Sequence, residues 1–375
     1  MIDAKNLFLF LKKNRINFFT GVPDSVLQNF IHILDSNKNK TEHIIATNEG
    51  SAVALAAGNY LATKKLALVY MQNSGLGNAI NPLISICHSK VYSIPLILMI
   101  GWRGGPKEND EPQHQIKGKI TPSILKLLNI KFSVLNNFRD LKKIKNLINY
   151  SKYKKTPVAF LIKNNTLSLD GNFEKDNKSK NYLTREDVIN GLLNVIKKNT
   201  RIISTTGYTS RELFQIRKNK KYKNGKDFYM VGGMGHSSMV ALGVSLKSKN
   251  NVICLDGDGS LLMHMGAFAT IGKFGKKNLK YILLNNSAHE SVGGQKTVAD
   301  RINFSLLSKS LGFKSYVLIK NKNNHEKIMV KFLNSCGPSF LEIKIQVKSM
   351  KNLTRPSNLK IIKNNFMSLK NDYQK

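Results

Sequence analysis

Two kinds of hydrophobic pattern alternate along the chain. Short runs that are apolar at nearly every position lie at 66–70, 95–100 and 158–162. Apolar residues at helical spacing, or small residues in close succession, lie at 7–12, 26–34 and 50–61. Strands without polar alternation, separated by helices, are typical of a parallel sheet that is covered on both faces. The first part of the chain is therefore predicted to be an α/β unit.

A polar stretch without apolar periodicity follows from about 163 to 184 and predicts a linker. Thr184 then precedes Asp187 by three residues, as in a capping box that opens a helix. A second set of strand-like runs follows at 201–204, 252–255, 281–284, 316–319 and 340–345. These patterns predict four segments: a domain at 1–165, a linker at 166–183, a second domain at 184–350 and a basic, peripheral tail at 351–375.

The composition is that of a folded protein with an unusual charge. The 375 residues are 41% hydrophobic and carry a net charge of +36, from 59 Lys and Arg against 23 Asp and Glu. Only nine of the basic residues are Arg, and the many Lys residues stand beside Asn. Recognition of phosphates and bases favours Arg clusters with interleaved aromatic residues. A nucleic-acid-binding protein is therefore kept only as a remote alternative, and the excess of Lys is attributed to solvated surface positions.

The cysteines and the longest apolar runs bear on the compartment. The three cysteines, Cys87, Cys254 and Cys336, are too few and too far apart for a disulfide framework. No apolar run is long enough to span a membrane, and residues 1–5 lack the basic-then-apolar layout of an export signal. The sequence therefore predicts a cytoplasmic protein without a membrane segment.

The most informative motif joins the ends of two predicted strands. The run at 252–255 leads into Gly257, Asp258 and Gly259, and the run at 281–284 ends before Asn286. Parallel strands end at the same edge of a sheet, where α/β proteins bind ligands, so Asp258 and Asn286 are expected to meet. One carboxylate and one amide oxygen suit Mg²⁺ that takes its other ligands from phosphate, water and a backbone carbonyl. The N–H groups of Gly259 and Ser260 are expected to face the phosphate.

A second motif places one carboxylate at the start of a helix of small residues. Glu49 follows the run 43–46 and opens the stretch 50–58, which is rich in Ala and Gly. An acidic residue at this position is stabilised by the helix dipole, so the position alone does not require a catalytic role.

These motifs together resemble the thiamine diphosphate-dependent 2-oxoacid decarboxylases. The resemblance covers nearly the whole chain, through the segments at 20–25, 48–50, 72–78, 101–104, 110–114, 205–207, 232–236, 257–259 and 285–291. It implies two doubly wound parallel-sheet domains of the α/β class, one binding the pyrimidine and one the diphosphate, without a central third domain. Ser287 and Lys296 stand where the family has Gly and Pro.

The resemblance also implies the roles of individual residues. Glu49 would exchange a proton with the aminopyrimidine N1′, so that the 4′-imino group can remove the proton from C2. Met234 would bend the cofactor. Asp258, Asn286 and the carbonyl of Ala288 would hold Mg²⁺. The remaining cofactor-binding positions implied by the resemblance are Thr206, Gly207, Gly235, His236, Gly257, Gly259 and Ser260.

The expected reaction is the non-oxidative decarboxylation of 3-phosphonopyruvate to phosphonoacetaldehyde and CO₂ through an ylide and an enamine. Sulfopyruvate, another 2-oxoacid or carboligation are the alternatives. The candidates for holding this small anionic substrate are Asp24 and Ser25 at a predicted helix start, Arg103 in a loop, and His114, which is also a catalytic candidate. The family assembles its sites from two subunits, which implies a homodimer or a higher homo-oligomer with shared active sites.

Overall fold

The computed structural model describes residues 1–37, 39, 41–169, 182–218, 222 and 225–368. The chain divides into two compact units, Met1–Glu174 (unit 1) and Lys175–Lys375 (unit 2). Most of the linker predicted at 166–183 falls on 170–181, outside the described residues. The described part of that segment includes the short strand Leu167–Ser168 near its start, and the helix cap Thr184 follows directly after its end.

Unit 1 alternates strands and helices. Its strands are β1 (Ile2–Asp3), β2 (Phe18–Gly21), β3 (Glu42–Ile45), β4 (Ala67–Gln72), β5 (Ile97–Gly101), β6 (Lys131–Leu135), β7 (Val158–Ile162) and β8 (Leu167–Ser168). Its helices are α1 (Ala4–Lys13), α2 (Gln28–Ser36), α3 (Glu49–Thr63), α4 (Leu76–Pro82), α5 (Pro112–Leu127) and α6 (Leu141–Lys154). Six strands form a parallel sheet in the order β3-β2-β4-β5-β7-β6, and β1 pairs separately with β8.

The core of unit 1 explains why its central strands are apolar throughout. Along β4, Leu68 and Tyr70 pack into one buried cluster, whereas Val69 and Met71 pack into another. Successive side chains of a strand point to opposite faces, so a strand between two layers of helices needs apolar residues at every position. The sequence pattern thus reports the two covered faces of the sheet.

Unit 2 is built in the same way. Its strands are β9 (Arg201–Ser204), β10 (Phe228–Tyr229), β11 (Val252–Gly257), β12 (Leu279–Asn285), β13 (Ser315–Ile319) and β14 (Ser339–Lys344). Its helices are α7 (Arg185–Val195), α8 (Tyr208–Arg217), α9 (Ser237–Ser245), α10 (Asp258–Met263), α11 (Ala267–Phe274), α12 (Phe304–Ser310), α13 (His325–Asn334) and α14 (Leu359–Met367). All pairings in its six-stranded sheet are parallel, and the order is β10-β9-β11-β12-β14-β13.

The predicted fold class is therefore confirmed: the protein has two α/β units, each with a parallel sheet between helices. The predicted capping box at Thr184 is also present, since its hydroxyl accepts from the N–H of Asp187, and the Asp187 carboxylate accepts from the N–H of Thr184. In the part of the chain that the structure describes, no helix is both long and apolar enough to cross a membrane.

The segment predicted as a peripheral tail contributes to the core. Helix α14 lies within it, and Phe366 is 7% exposed and joins a buried cluster of unit 2. Its ring lies 5.6 Å from that of Phe228. The high Lys and Asn content conceals this helix in the sequence, because only one of its side chains is fully buried.

Candidate active site

The candidate residues of unit 2 gather where its strand order reverses. From β9 the chain leads to β10 on one side of the sheet, while β11 lies on the other side of β9 and is followed by β12. Ligands of open α/β sheets bind at the carboxyl edge beside such a reversal. Thr205 and Thr206 follow β9, Asp258 follows β11, and Asn286 follows β12. Three neighbouring strands therefore deliver the candidate residues to one edge.

Asp258 is the buried carboxylate of this edge. It is 2% exposed and accepts hydrogen bonds from the hydroxyl of Thr297, from its own N–H and from the N–H of Asn286. Burial raises the pKa of Asp258 to about 6, although these hydrogen bonds act in the opposite direction. The structure thus brings Asp258 and Asn286 together. It also adds Thr297, which the sequence analysis missed because no spacing rule connects it to Asp258.

Asn286 is held by the loop that begins at its own position. Its Oδ1 accepts from the N–H of Ala288 at 3.1 Å, which leaves this oxygen a second lone pair. Ser287 has a φ of 55°, a left-handed conformation that Gly adopts without strain. The loop then pairs back on itself, since the N–H of Thr297 donates to the carbonyl of Ser287 at 2.9 Å. The backbone at position 287 thus favours Gly, the residue that the resemblance implies there.

The hydroxyl of Ser260 ties three candidate segments together. Its Oγ accepts from the hydroxyl of Thr205 at 2.9 Å and from the N–H of Gly235 at 3.0 Å. Ser260 is 4% exposed, its side chain joins the segments, and its N–H lies in the first turn of α10. Thr206 is half-buried, and Gly207 caps the ten-residue helix α8 with a φ of 87°.

Met234 and His289 lie beside Gly259. A Cβ on Gly259 would meet the His289 ring at 2.9 Å and the Met234 methyl at 3.3 Å, so only Gly allows this approach. Met234 is itself flanked by Gly233 and Gly235, both with positive φ. Burial lowers the pKa of His289 to about 4, so the ring is neutral near pH 7. His289 was missed by the sequence analysis, although it lies within the motif at 285–291.

His236 is exposed and stacks on His264, with ring centroids 4.4 Å apart. Of the predicted cofactor-binding residues of unit 2, it is therefore among the most accessible. Gly257 ends β11, and open space surrounds the position that a Cβ would take there.

Glu49 is the first residue of α3 in unit 1, and it is 5% exposed. Asn48 caps this helix by accepting from the N–H of Ser51 at 2.8 Å. The Glu49 carboxylate accepts from the amide of Asn78 at 2.8 Å and lies directly against Gly75, where any side chain would collide with it. These two contacts fix the direction of the carboxylate. The sequence analysis did not identify Asn78 or Gly75 as partners of Glu49, although both lie in the motif at 72–78.

A lysine of α5 lies within electrostatic reach of Glu49. Burial lowers the pKa of half-buried Lys117, and the charge of Glu49 opposes that shift. Lys117 was not identified from the sequence, since one more lysine carries no signal in a chain that is rich in them.

Asp24 is fully buried, and the helix predicted to start beside it begins later. Its Oδ1 accepts from Gln72 at 2.7 Å and its Oδ2 from the N–H of Val26 at 3.1 Å. These bonds and that from the N–H of Leu27 to the Asp24 carbonyl form a turn, so α2 begins only at Gln28. Burial raises the pKa of Asp24. Ser25 is half-buried in this turn and not at a helix start.

Arg103 is paired with a carboxylate of its own unit. Its Nε donates to Asp110 Oδ2 at 3.0 Å and its Nη2 to Asp110 Oδ1 at 2.6 Å. This two-pronged pair has geometric specificity as well as energy. It was not predicted, because the six residues between the partners form a loop without a sequence pattern.

His114 is buried on α5, one turn before Gly118, whose carbonyl accepts from the indole of Trp102 at 2.9 Å. Burial, together with the charge of Arg103, lowers the pKa of His114 to about 4. Its Nδ1 is buried and has no hydrogen-bond partner among the described residues. His114 is thus a neutral imidazole with an open nitrogen.

Comparison with known proteins finds a match to one thiamine pyrophosphate enzyme domain in each unit. Residues 4–123 match the thiamine pyrophosphate enzyme N-terminal TPP binding domain, and residues 205–343 match the C-terminal TPP binding domain of the same enzymes. The first contains Glu49, and the second contains Asp258 and Asn286. The chain therefore carries both domains that bind thiamine diphosphate, also called thiamine pyrophosphate.

Three relatives of known activity are similar to the chain. A phosphonopyruvate decarboxylase of Streptomyces viridochromogenes is 32% identical over 95% of this chain and 91% of that protein. A sulfopyruvate decarboxylase of Methanosarcina acetivorans is 28% identical over 89% of this chain and 88% of that protein. A sulfopyruvate decarboxylase subunit beta of Methanocaldococcus jannaschii is 33% identical over 40% of this chain and 82% of that subunit. The chain belongs to the family of thiamine diphosphate-dependent 2-oxoacid decarboxylases.

Proposed function

We propose that the protein decarboxylates 3-phosphonopyruvate to phosphonoacetaldehyde and CO₂, with thiamine diphosphate and Mg²⁺. The observation that carries the proposal is the contact of the buried Asp258 carboxylate with Asn286, in a chain that buries Glu49 at the start of a separate helix. The likeness to phosphonopyruvate decarboxylase over nearly the whole chain supports the substrate. Sulfopyruvate is the second candidate, because a sulfopyruvate decarboxylase is similar over almost the same length.

The donor atoms of unit 2 support Mg²⁺. Asp258 offers a carboxylate, Asn286 an amide oxygen with a free lone pair, and Ala288 a carbonyl. Three oxygen donors from the protein suit Mg²⁺, because this cation completes its octahedral coordination with water and the oxygens of a diphosphate. The N–H groups of Gly259 and Ser260, with Thr206 and Gly207, would hold that diphosphate. Gly257, Gly235 and His236 would line the same place.

Glu49 would act on the pyrimidine end. When bound, thiamine diphosphate supplies the electron sink for the bond that loses CO₂. Glu49 would hold and exchange the proton at the pyrimidine N1′, and the amide of Asn78 would keep its carboxylate in one direction. The half-buried Met234, between two glycines, would support the bent shape of the cofactor.

The substrate side would be formed by Arg103 and His114. Asp110 occupies Nε and Nη2 of Arg103, so its other terminal nitrogen, Nη1, would face the phosphonate. His114, neutral and with an open Nδ1, would add no charge to the pocket, and it could relay a proton by taking one at one ring nitrogen and releasing one from the other. Ser25 would contribute a hydroxyl. The carboxylate of Asp24 is buried, so Asp24 would not contact the substrate directly. It would support the pocket by holding the side chain of Gln72.

The assembly is proposed to be a homodimer or a higher homo-oligomer with shared active sites. Glu49 belongs to unit 1 and the proposed metal donors to unit 2, and one relative is named as a subunit beta. We further propose the cytoplasm as its compartment, because the three cysteines are unpaired.

A panel of substrates tests the proposal. CO₂ release is measured with phosphonopyruvate, sulfopyruvate and pyruvate, with and without added thiamine diphosphate and Mg²⁺. We expect the highest kcat/KM with phosphonopyruvate and no turnover without the cofactors. A preference for sulfopyruvate would move the protein to the second candidate, and a preference for pyruvate would contradict an anion-binding substrate pocket.

A further inference from the structure

Arg185 is the buried centre of three charged side chains in unit 2. Its Nη1 donates to Glu212 Oε1 at 3.0 Å and its Nη2 to Glu290 Oε2 at 2.5 Å. All three residues are buried, and Arg185 is 5% exposed. Charges in such surroundings persist only when they are paired and hydrogen-bonded. Each side chain therefore restricts the position of the other two.

The three residues come from separate segments. Arg185 is the first residue of α7, directly after the Thr184 capping box, and Glu212 lies in the middle of α8. Glu290 lies in the loop that follows β12, four residues beyond Asn286. The pair between Arg185 and Glu290 thus fastens this loop to the start of a helix.

Glu290 also contacts the proposed metal ligand. The Nδ2 of Asn286 donates to Glu290 Oε2 at 2.9 Å, while Asn286 Oδ1 accepts from the N–H of Ala288 at 3.1 Å. If the amide turned over, oxygen would face oxygen at one end and N–H would face N–H at the other. Only one orientation of the amide group satisfies both contacts. This orientation determines where the Oδ1 of Asn286 lies.

We propose that Arg185 and Glu290 are positioning residues that hold the Asn286 oxygen in place for Mg²⁺. The inference rests on the proposed metal site. Arg185 acts through Glu290, because it holds the carboxylate that receives the Asn286 amide. Loss of such an outer partner commonly weakens metal binding by about 10- to 100-fold.

Glu212 offers a matched control. It pairs with the same guanidinium as Glu290 and is also buried, but its Oε1 accepts from Arg185 and from the N–H of Met350, not from Asn286. Glu290→Ala and Glu212→Ala therefore remove the same charge from the same buried arginine. Only the first removes the acceptor of the Asn286 amide.

The test measures thiamine diphosphate binding to the full chain by calorimetry at a series of Mg²⁺ concentrations. We expect Glu290→Ala to raise the Mg²⁺ concentration for half-maximal binding by about 10-fold or more, and Glu212→Ala by less than about 3-fold. Both variants should lower the Tm, because each leaves Arg185 with one partner. Glu290→Gln keeps an oxygen that can accept from Asn286, so it should restore most of the Mg²⁺ affinity.

The outcomes separate this inference from the metal site itself. Suppose that Asp258→Ala abolishes Mg²⁺-dependent binding, whereas Glu290→Ala and Glu212→Ala raise the Mg²⁺ requirement equally. In that case the three charged side chains are structural, and the positioning role is wrong. If the wild-type protein binds thiamine diphosphate equally well without Mg²⁺, both the metal site and the positioning role are wrong.

Discussion

Unit 1 and unit 2 have the same strand order and different chemistry at the edge where ligands are expected. Subtracting seven from the strand numbers of the second sheet gives the order of the first. At that edge unit 1 has Asp24, held by Gln72 and near Arg103, whereas unit 2 has Asp258, held by Thr297 and Asn286. One topology thus provides the same location twice, and the side chains after each strand decide what the location can bind.

The two buried aspartates show the difference most directly. Burial raises the pKa of both. Asp24 receives the side-chain amide of Gln72, at the end of β4, and the N–H of Val26 in its own turn. Asp258 lies beside Asn286, whose oxygen retains a lone pair. The contact with Asp258 thus uses the backbone of Asn286, whereas the contact with Asp24 uses the side chain of Gln72.

The largest expected effect concerns unit 1, which lacks the proposed metal donors. Glu49→Gln should lower decarboxylation by about 10²- to 10⁴-fold, because an amide cannot exchange the proton that the reaction requires. Thiamine diphosphate binding, measured by calorimetry, should remain within a few-fold of wild type. Turnover close to wild type would remove Glu49 from the mechanism and leave unit 1 without its proposed acid–base residue.

Substitution of Asp24 and of Asp258 tests whether the two buried aspartates have different roles. Asp258→Ala should weaken Mg²⁺-dependent thiamine diphosphate binding by more than about 100-fold, since loss of a direct ligand costs more than loss of an outer partner. Asp24→Asn should change this affinity by less than about 3-fold, while lowering the Tm. Equal losses of affinity in the two variants would show that the division of tasks between the units is wrong.

Substitution of Arg103 tests the proposed substrate site of unit 1. Charge-assisted hydrogen bonds contribute about 1.5–3 kcal/mol, so Arg103→Ala should lower kcat/KM for phosphonopyruvate by about 10- to 150-fold. The value for pyruvate, which has no phosphonate, should change little. Arg103→Lys keeps the charge but not the two-pronged pair with Asp110, so it separates charge from geometry. Equal losses for both substrates would assign Arg103 to support of the loop alone.

The smallest effect is a pH dependence of stability in unit 1. His114 has a pKa of about 4 in the folded protein, below its ordinary value. The unfolded chain therefore binds the proton first, and stability falls as the pH drops from about 6.5 toward 4, by at most about 1.4 kcal/mol per pH unit.

The fluorescence of Trp102 can report this change in stability. Trp102 is the single tryptophan, and its indole donates a hydrogen bond to the helix that carries His114. Denaturant titrations followed by its fluorescence should show a weaker pH dependence in His114→Gln than in the wild type. An unchanged dependence would assign the acid sensitivity to other groups.

The elements that the sequence predicted are those with two buried faces. Strands β4, β5 and β7 are almost entirely buried, and their apolar runs were sufficient to identify them. Strand β3 lies at an edge of its sheet and alternates exposed and half-buried positions, so a four-residue segment with Glu42 and His43 gives little signal. Strand β10 has two residues and cannot be distinguished from a loop by pattern alone.

The candidate site divides in the same way. Asp258 and Asn286 were expected to meet because both follow neighbouring strands, and parallel topology determines where strands end. The partners of these and other candidates, such as Thr297, Asn78 and Asp110, come from loops or other helices. Their positions depend on packing over long sequence separations, for which one sequence has no periodicity to read.

The pairing of β1 with β8 has a consequence for how such a chain can be divided. Residues at the two ends of unit 1 lie side by side, since Ile2 pairs with Leu167. At the entrance of unit 2, Leu183 pairs with Ile345. Each of the four buried apolar clusters also lies within a single unit. Among the residues that the structure describes, one break between 169 and 182 would therefore cut no strand pairing and divide no core, so a gene for this protein could be split into two cistrons, or fused from two, at a single position.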